Sequence, residues 1–144
     1  MASKILLVDD NPDDAELTRL ALERHQLGSK LVHLVDGAQA IDYLFGADAD
    51  ADAVARDIRF IILDLKLPKV DGMQVLERIK SDPRTRAIPV VILSSSNQER
   101  DINRSFDRGV NSYVVKPVQL DQYMDAVSTL GRYWDEINQQ RATA

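Results

Sequence analysis

The 144-residue sequence predicts an α/β fold, a doubly wound sheet of five parallel strands with five helices covering its two faces. Three observations predict it. Short unbroken apolar runs, the kind expected of strands covered on both faces, alternate five times with segments whose apolar residues recur every three to four positions. A chain that alternates strand and helix in this way must cross over right-handedly, which lays helices on both sides of one sheet. With 44% hydrophobic and 28% charged residues at the usual length of one domain, the composition is that of an ordinary globular chain with a single core.

Ile5 to Val8 form the first run, and Asn11 followed by Pro12 marks the start of the first helix. Asn caps the exposed amides there, and Pro sits at a helical position that needs no N–H. Leu17, Leu20 and Ala21 give that helix its apolar face, Leu31 to Val35 is a weaker second strand, and Ile41, Leu44 and Phe45 mark the second helix. The acidic, alanine-rich stretch from Ala47 to Asp57 reads as an exposed insertion covering about residues 46–58. Its Asp48, Asp50 and Asp52 have the spacing that opens an EF-hand loop, but Ala53 stands where Gly is required and Arg59 where the closing Glu belongs, so calcium binding is rejected. Phe60 to Leu63 is the third strand, and Val75, Leu76 and Ile79 mark the third helix. Val90 to Leu93 is the fourth strand, Ile102 and Phe106 the fourth helix, and Gly109 its end. Tyr113 to Val115 is the fifth strand, and Tyr123, Val127, Leu130 and Trp134 line the fifth helix. A short C-terminal extension, about residues 134–144, follows, with no output domain expected after it. Trp134 beside Tyr133 reads equally as core packing or as part of a partner surface.

Charge and composition exclude several function classes. With 18 basic against 23 acidic residues and no basic run, the surface repels phosphate backbones, so no nucleic-acid partner is expected. The N-terminal MASKILLVDD offers only four apolar residues before two aspartates, too short for a signal peptide or membrane span. Together with the absence of cysteine, this gives a cytoplasmic expectation with no membrane partner.

Placing the polar residues on this fold brings out the chemistry. Asp9 and Asp10 end the first strand, Asp64 the third, Ser94 the fourth and Lys116 the fifth, so all five project from the carboxyl edge of one sheet, where open α/β sheets bind ligands. Singly, each has a bland explanation, since an Asp after a strand is usually a cap or turn former, a terminal Ser often caps and a lone Lys is generally solvated. Their convergence carries the argument. Three carboxylates in one crevice repel by about 4 kcal/mol per close pair at 4 Å and an effective dielectric near 20, so the cluster calls for a cation. An all-oxygen set with room for water and phosphate suits Mg2+; zinc is disfavoured, because the chain lacks cysteine and His25 and His33 lie elsewhere and take no role. Asp64 is then the candidate nucleophile for a phosphoryl group, Lys116 a point charge for a phosphate oxygen and Ser94 a mobile hydroxyl.

These residues resemble the receiver domain of bacterial two-component response regulators. The likeness runs from LLVDDN at Leu6 to Asn11, through LDLKLPKVDG at Leu63 to Gly72, to YVVKP at Tyr113 to Pro117. It implies a flavodoxin-like strand order 2-1-3-4-5, Asp64 as phosphoacceptor, and Mg2+ held by Asp9, Asp10, Asp64 and the backbone carbonyl of Lys66. It further implies Ser94 and Tyr113 as a switch pair, a cis peptide between Lys116 and Pro117, and a signalling change on the face formed by the fourth helix, fifth strand and fifth helix. Without the resemblance, Tyr113 is an ordinary aromatic on an edge strand. Ser94 replaces the commoner Thr and keeps the hydroxyl. Lys66 and Ser96 flank the acceptor and the switch serine and are placed to shape water access.

The insertion, DGAQAIDYL at Asp36 to Leu44 and the Tyr133-Trp134 pair are similar to single-domain regulators served by phytochrome-type histidine kinases. That implies such a kinase as partner, a homodimer through the face named above or through the extended last helix, and a downstream protein or phosphotransfer partner. Two other classes each fail on particular residues. A haloacid-dehalogenase-like phosphatase needs a second Asp where Lys66 stands, and a degenerate scaffold would have lost the acidic pair, the acceptor or the Lys. The chain is therefore expected to be a phosphoacceptor and binding module rather than an enzyme.

Overall fold

The computed structural model describes residues 3–47 and 50–139. Five parallel strands lie in the order β2-β1-β3-β4-β5: β1 (Lys4–Val8), β2 (Leu31–Leu34), β3 (Ile58–Leu63), β4 (Val90–Ser94) and β5 (Ser112–Val115). The helices are α1 (Pro12–Glu23), α2 (Gly37–Phe45), α3 (Ala51–Asp57), α4 (Gly72–Ser81), α5 (Glu99–Asp107) and α6 (Leu120–Arg132). The two-residue period of the strands divides the core cleanly. Leu6, Val8, Ile61, Leu63 and Ile92 face one side with Leu44 of α2 and Val75, Leu76 and Ile79 of α4, whereas Ile5, Leu7, Phe60, Ile62 and Val91 face the other with Leu22 of α1 and Val127 and Leu130 of α6. Every residue of β4 is buried, as its unbroken apolar run predicts.

The expectation of five helices is corrected to six, and the exposed insertion with it. The second half of residues 46–58 is helical: the Asp50 side chain caps it by accepting from the Ala53 amide, and Ala51 and Ala55, four residues apart, are both buried. Asp48 lies outside the described residues, as do residues 140–144 of the extension. Leu20 and Phe106, placed on apolar helix faces by their spacing, are exposed. The one buried residue of α5 is Ser105, so this helix rests on the sheet with little apolar anchorage.

Helix ends follow the local chemistry. Asn11 Oδ1 accepts from the Asp13 and Asp14 amides at 2.9 and 3.1 Å, which starts α1 immediately beyond the carboxyl end of β1. Gly109, with φ +91°, supplies the left-handed turn after α5. At the other end of the chain, Tyr133–Ile137 form a π-helical turn, and the Arg59 guanidinium donates to the Asp135 carbonyl at 3.0 Å, tying the turn to β3. Trp134 is half-buried against the α1/α6 side of the core, while Tyr133 and Ile137 are exposed. Among the described residues no helix is long and apolar enough to cross a membrane.

Candidate functional site

The parallel ladder continues one residue past the strands, and those extra rungs are where the polar residues stand. The Asp9 amide donates to the Leu34 carbonyl at 3.1 Å, that of Asp64 to Val8 at 3.0 Å and that of Lys116 to Ser94 at 2.7 Å. Backbone pairing thus fixes Asp9, Asp64, Ser94 and Lys116 side by side on one rim before any side chain interacts. Gly72 closes the loop after β3 from behind: its amide donates to the Leu65 carbonyl at 2.8 Å, and a Cβ there would lie 2.1 Å from the Asp64 carbonyl oxygen. Only glycine permits that approach.

Lys116 is the centre of the arrangement. Its ammonium donates to Asp9 Oδ2 at 3.0 Å, Asp14 Oδ2 at 2.9 Å and Asp64 Oδ2 at 3.0 Å, using all three of its protons. Burial pulls its pKa down, but the hydrogen bond to Asp14 and the charges of Asp64 and Asp9 outweigh this and hold the ammonium protonated well above the usual lysine range. Asp9 shows the opposite balance. It is 1% exposed, and desolvation pushes its carboxyl up despite the Asn11 amide at 2.9 Å and Lys116. The crevice therefore holds more negative charge than Lys116 alone neutralises.

Carboxylate oxygens of Asp9, Asp10 and Asp64 all lie within 4.8 Å of one another, with Asp9 and Asp64 buried and Asp10 exposed. This is an all-oxygen set with one open side, which fits a hard, partly hydrated divalent cation. Lys66 adjoins it: its amide donates to Asp64 Oδ1 at 3.3 Å, and it lines an open cleft of about 590 Å3 with Asp10, Ser96 and Arg100. A cavity of about 1060 Å3 lies apart, lined by Lys80 and Arg108 among others, and Asp9, Asp10, Asp64, Ser94 and Lys116 do not line it.

Ser94 is fully buried, and its Oγ accepts from the Ser96 amide at 3.3 Å. Ser96 Oγ in turn donates to Asp101 Oδ2 at 2.6 Å, and the Tyr113 hydroxyl donates to the Ser96 carbonyl at 2.8 Å. The loop after β4 is thus tied both to α5 and to β5, and Tyr113 already packs half-buried against the core. Burial raises the Tyr113 pKa, so it acts as a donor at neutral pH. The expected cis peptide before Pro117 is corrected, because no cis peptide bond occurs among the described residues. Trans is the lower-energy isomer of X–Pro by roughly 0.5–1 kcal/mol, and Lys116 makes its three contacts with it.

Sequence reasoning missed two neighbours of the site. Asp14 completes the Lys116 coordination from the first turn of α1, and His33 Nε2 lies 2.7 Å from the Asp9 carbonyl oxygen. For Asp14 a signal was present, since a carboxylate three residues after the Asn11 cap faces the same rim as the cap.

A doubly wound sheet whose carboxyl edge gathers an acidic cluster beside a largely covered lysine is a site for a divalent cation and an anionic group, and the family match gives its class, a signalling domain of two-component systems. The chain belongs to the response regulator receiver domain family, which it matches over residues 5–128. It is 40% identical to the probable methanogenesis regulatory protein FilR2 of Methanothrix harundinacea, over 90% of this chain and 82% of that one. It is also 34% identical to the response regulator Rcp1 of Synechocystis, over 92% and 88%. Among solved structures it is similar to the phosphorylated cyanobacterial phytochrome response regulator RcpA, with 37% identity, 99% and 100% coverage and a TM-score of 0.87. The Mn2+-bound form of Rcp1 gives 34%, 97% and 99%, and 0.86. Receiver domains are signalling domains rather than enzymes in the usual sense, and they bind Mg2+ or Mn2+ at an acidic pocket.

Proposed function

We propose that this chain is a cytoplasmic response regulator that accepts a phosphoryl group from a histidine kinase on Asp64, with Mg2+ bound beside it. The observation that carries the reading is the Lys116 ammonium bridging Asp64 and Asp9, beside Asp10, at one sheet edge. An Asp64 carboxylate oxygen attacks the phosphorus of a phosphohistidine; the P–N bond breaks, its electron pair stays on the imidazole, and an acyl phosphate forms. Lys116 exchanges its bond to Asp64 for one to a phosphoryl oxygen. Asp9, Asp10, Asp64 and the Lys66 carbonyl would hold the metal, which supplies positive charge against the developing phosphoryl charge.

The signal leaves through Ser94 and Tyr113. The Ser94 hydroxyl gives up the Ser96 amide to reach the phosphoryl group, and the Ser96 carbonyl that anchors Tyr113 moves with the loop. The thin apolar anchorage of α5 supports a shift of the α5/β5/α6 face, where Val115, Val118 and Leu120 are exposed. Likeness to the cyanobacterial phytochrome response regulator RcpA supports a phytochrome-type kinase as phosphodonor, and the same exposed face suits a homodimer or a downstream partner.

Acetyl phosphate with Mg2+ is expected to give a hydroxylamine-labile adduct that is absent without Mg2+ and absent in Asp64→Asn. A normal adduct on that variant rejects the site. Mg2+ should also raise the melting temperature, since a ligand at 100 times its Kd adds about 2.7 kcal/mol to native-state stability. Asp9→Asn combined with Asp10→Asn should remove most of that rise, and an undiminished shift would place the metal elsewhere.

A further inference from the structure

Three carboxylates share the Lys116 ammonium, but they are not equivalent. Asp9 and Asp64 belong to the oxygen cluster suited to a divalent cation, and Asp14 stands outside it. When a cation draws Asp9 and Asp64, and a phosphoryl group occupies Asp64, two of the three lysine contacts are claimed by other groups. Asp14 is the contact that stays available, and it is firmly held. Its amide is bound by the Asn11 cap, and its carbonyl accepts from Thr18 Oγ1 at 2.8 Å and from the Tyr123 hydroxyl at 3.4 Å. Thr18 Oγ1 and the Tyr123 hydroxyl are themselves 3.1 Å apart, so α1 and α6 together brace the residue.

We infer that Asp14 is a positioning residue for phosphoryl binding: it holds the Lys116 ammonium at the rim once Asp9 and Asp64 have turned to the metal and the phosphoryl group. The inference rests on the phosphoacceptor reading above and names a residue that reading does not need. Simple charge counting predicts the reverse, because Asp14 adds a negative group near the place where a phosphoryl anion must bind, and removing it should strengthen anion binding. Positioning predicts that removing it weakens anion binding.

The test is calorimetric titration of beryllofluoride, a phosphoryl mimic, into the full chain with saturating Mg2+, preceded by titration with Mg2+ alone. Wild type is expected to bind beryllofluoride. In Asp14→Asn, Mg2+ affinity should stay close to wild type while beryllofluoride affinity falls about fivefold or more, because Lys116 then loses the one contact that holds it at the rim in the bound state. Asp14→Glu, which keeps the charge, should recover most of the loss. Should the Asn variant not fold, Asp14→Ser, suited to a helix start, carries the same expectation. Equal or tighter beryllofluoride binding in the neutral variants overturns the role of Asp14 and leaves the phosphoacceptor reading intact. A wild-type chain that binds Mg2+ but no beryllofluoride overturns both.

Discussion

Lys116→Met is expected to lower folding stability by about 3 kcal/mol in metal-free buffer near neutral pH, the scale of breaking one partner out of a buried ion pair. The Lys116 side chain is 10% exposed and is the cation that Asp9, Asp14 and Asp64 share. Methionine fills the space and leaves the carboxylates facing one another, with Asp9 fully desolvated. Saturating Mg2+ should recover a large part of the loss, because the cation neutralises the same oxygens. The pH dependence has a definite sign. A lysine whose folded pKa is raised contributes fully below its unfolded value, here 10.5, and loses that contribution only as pH climbs through the higher folded value. The gap between wild type and variant should therefore hold through about pH 6 to 9 and close in acid, where Asp9, already pushed up by burial, takes a proton. Urea melts of both chains with and without Mg2+ check this. Equal stability in metal-free buffer would mean that the crevice carries no uncompensated charge.

Gly72→Ala is expected to destabilise the fold by about 2–4 kcal/mol and to lower phosphorylation further than that loss explains. A Cβ at this position meets the Asp64 carbonyl oxygen at 2.1 Å and the Leu65 Cα at 2.5 Å, and both contacts are to backbone that cannot rotate away. The loop must retreat, and it carries the acceptor. In the proposed reading Asp64 keeps one oxygen on Lys116 and turns another toward the metal, so even a small retreat loosens both. Thermal melts give the first effect, and the acetyl phosphate adduct formed by the folded fraction gives the second. A variant that labels as well as wild type per folded molecule would show that the acceptor tolerates displacement.

What the sequence disclosed, and what it hid, follows from the range of each interaction. The strands β1, β3 and β4 were legible because burial on both faces leaves an unbroken apolar run. The start of α1 was legible because capping is settled within four residues by Asn11 and Pro12. By contrast, α3 hid in its composition. Alanine contributes little to an apolar pattern, so Ala51 and Ala55 passed for surface, although a helix needs only such a narrow stripe to seat against its neighbours. Leu20 and Phe106 misled for the complementary reason, since spacing gives a face but not what covers it. Their positions at strand ends placed Asp9, Asp10, Asp64, Ser94 and Lys116 on one rim, and there the structure brings them together. Asp14 could be placed near the rim from its position three residues after the Asn11 cap, but its partner lies 102 residues away, and that pairing no local pattern encodes.

The central claim is that Asp64 is where phosphoryl chemistry happens. After treatment with acetyl phosphate and Mg2+, borohydride reduces an acyl phosphate at the carbonyl carbon and leaves a marked residue that peptide mass spectrometry locates. The mark is expected on Asp64, with Asp9, Asp10 and Asp14 unmodified. A mark on any of those three with Asp64 untouched would contradict the account.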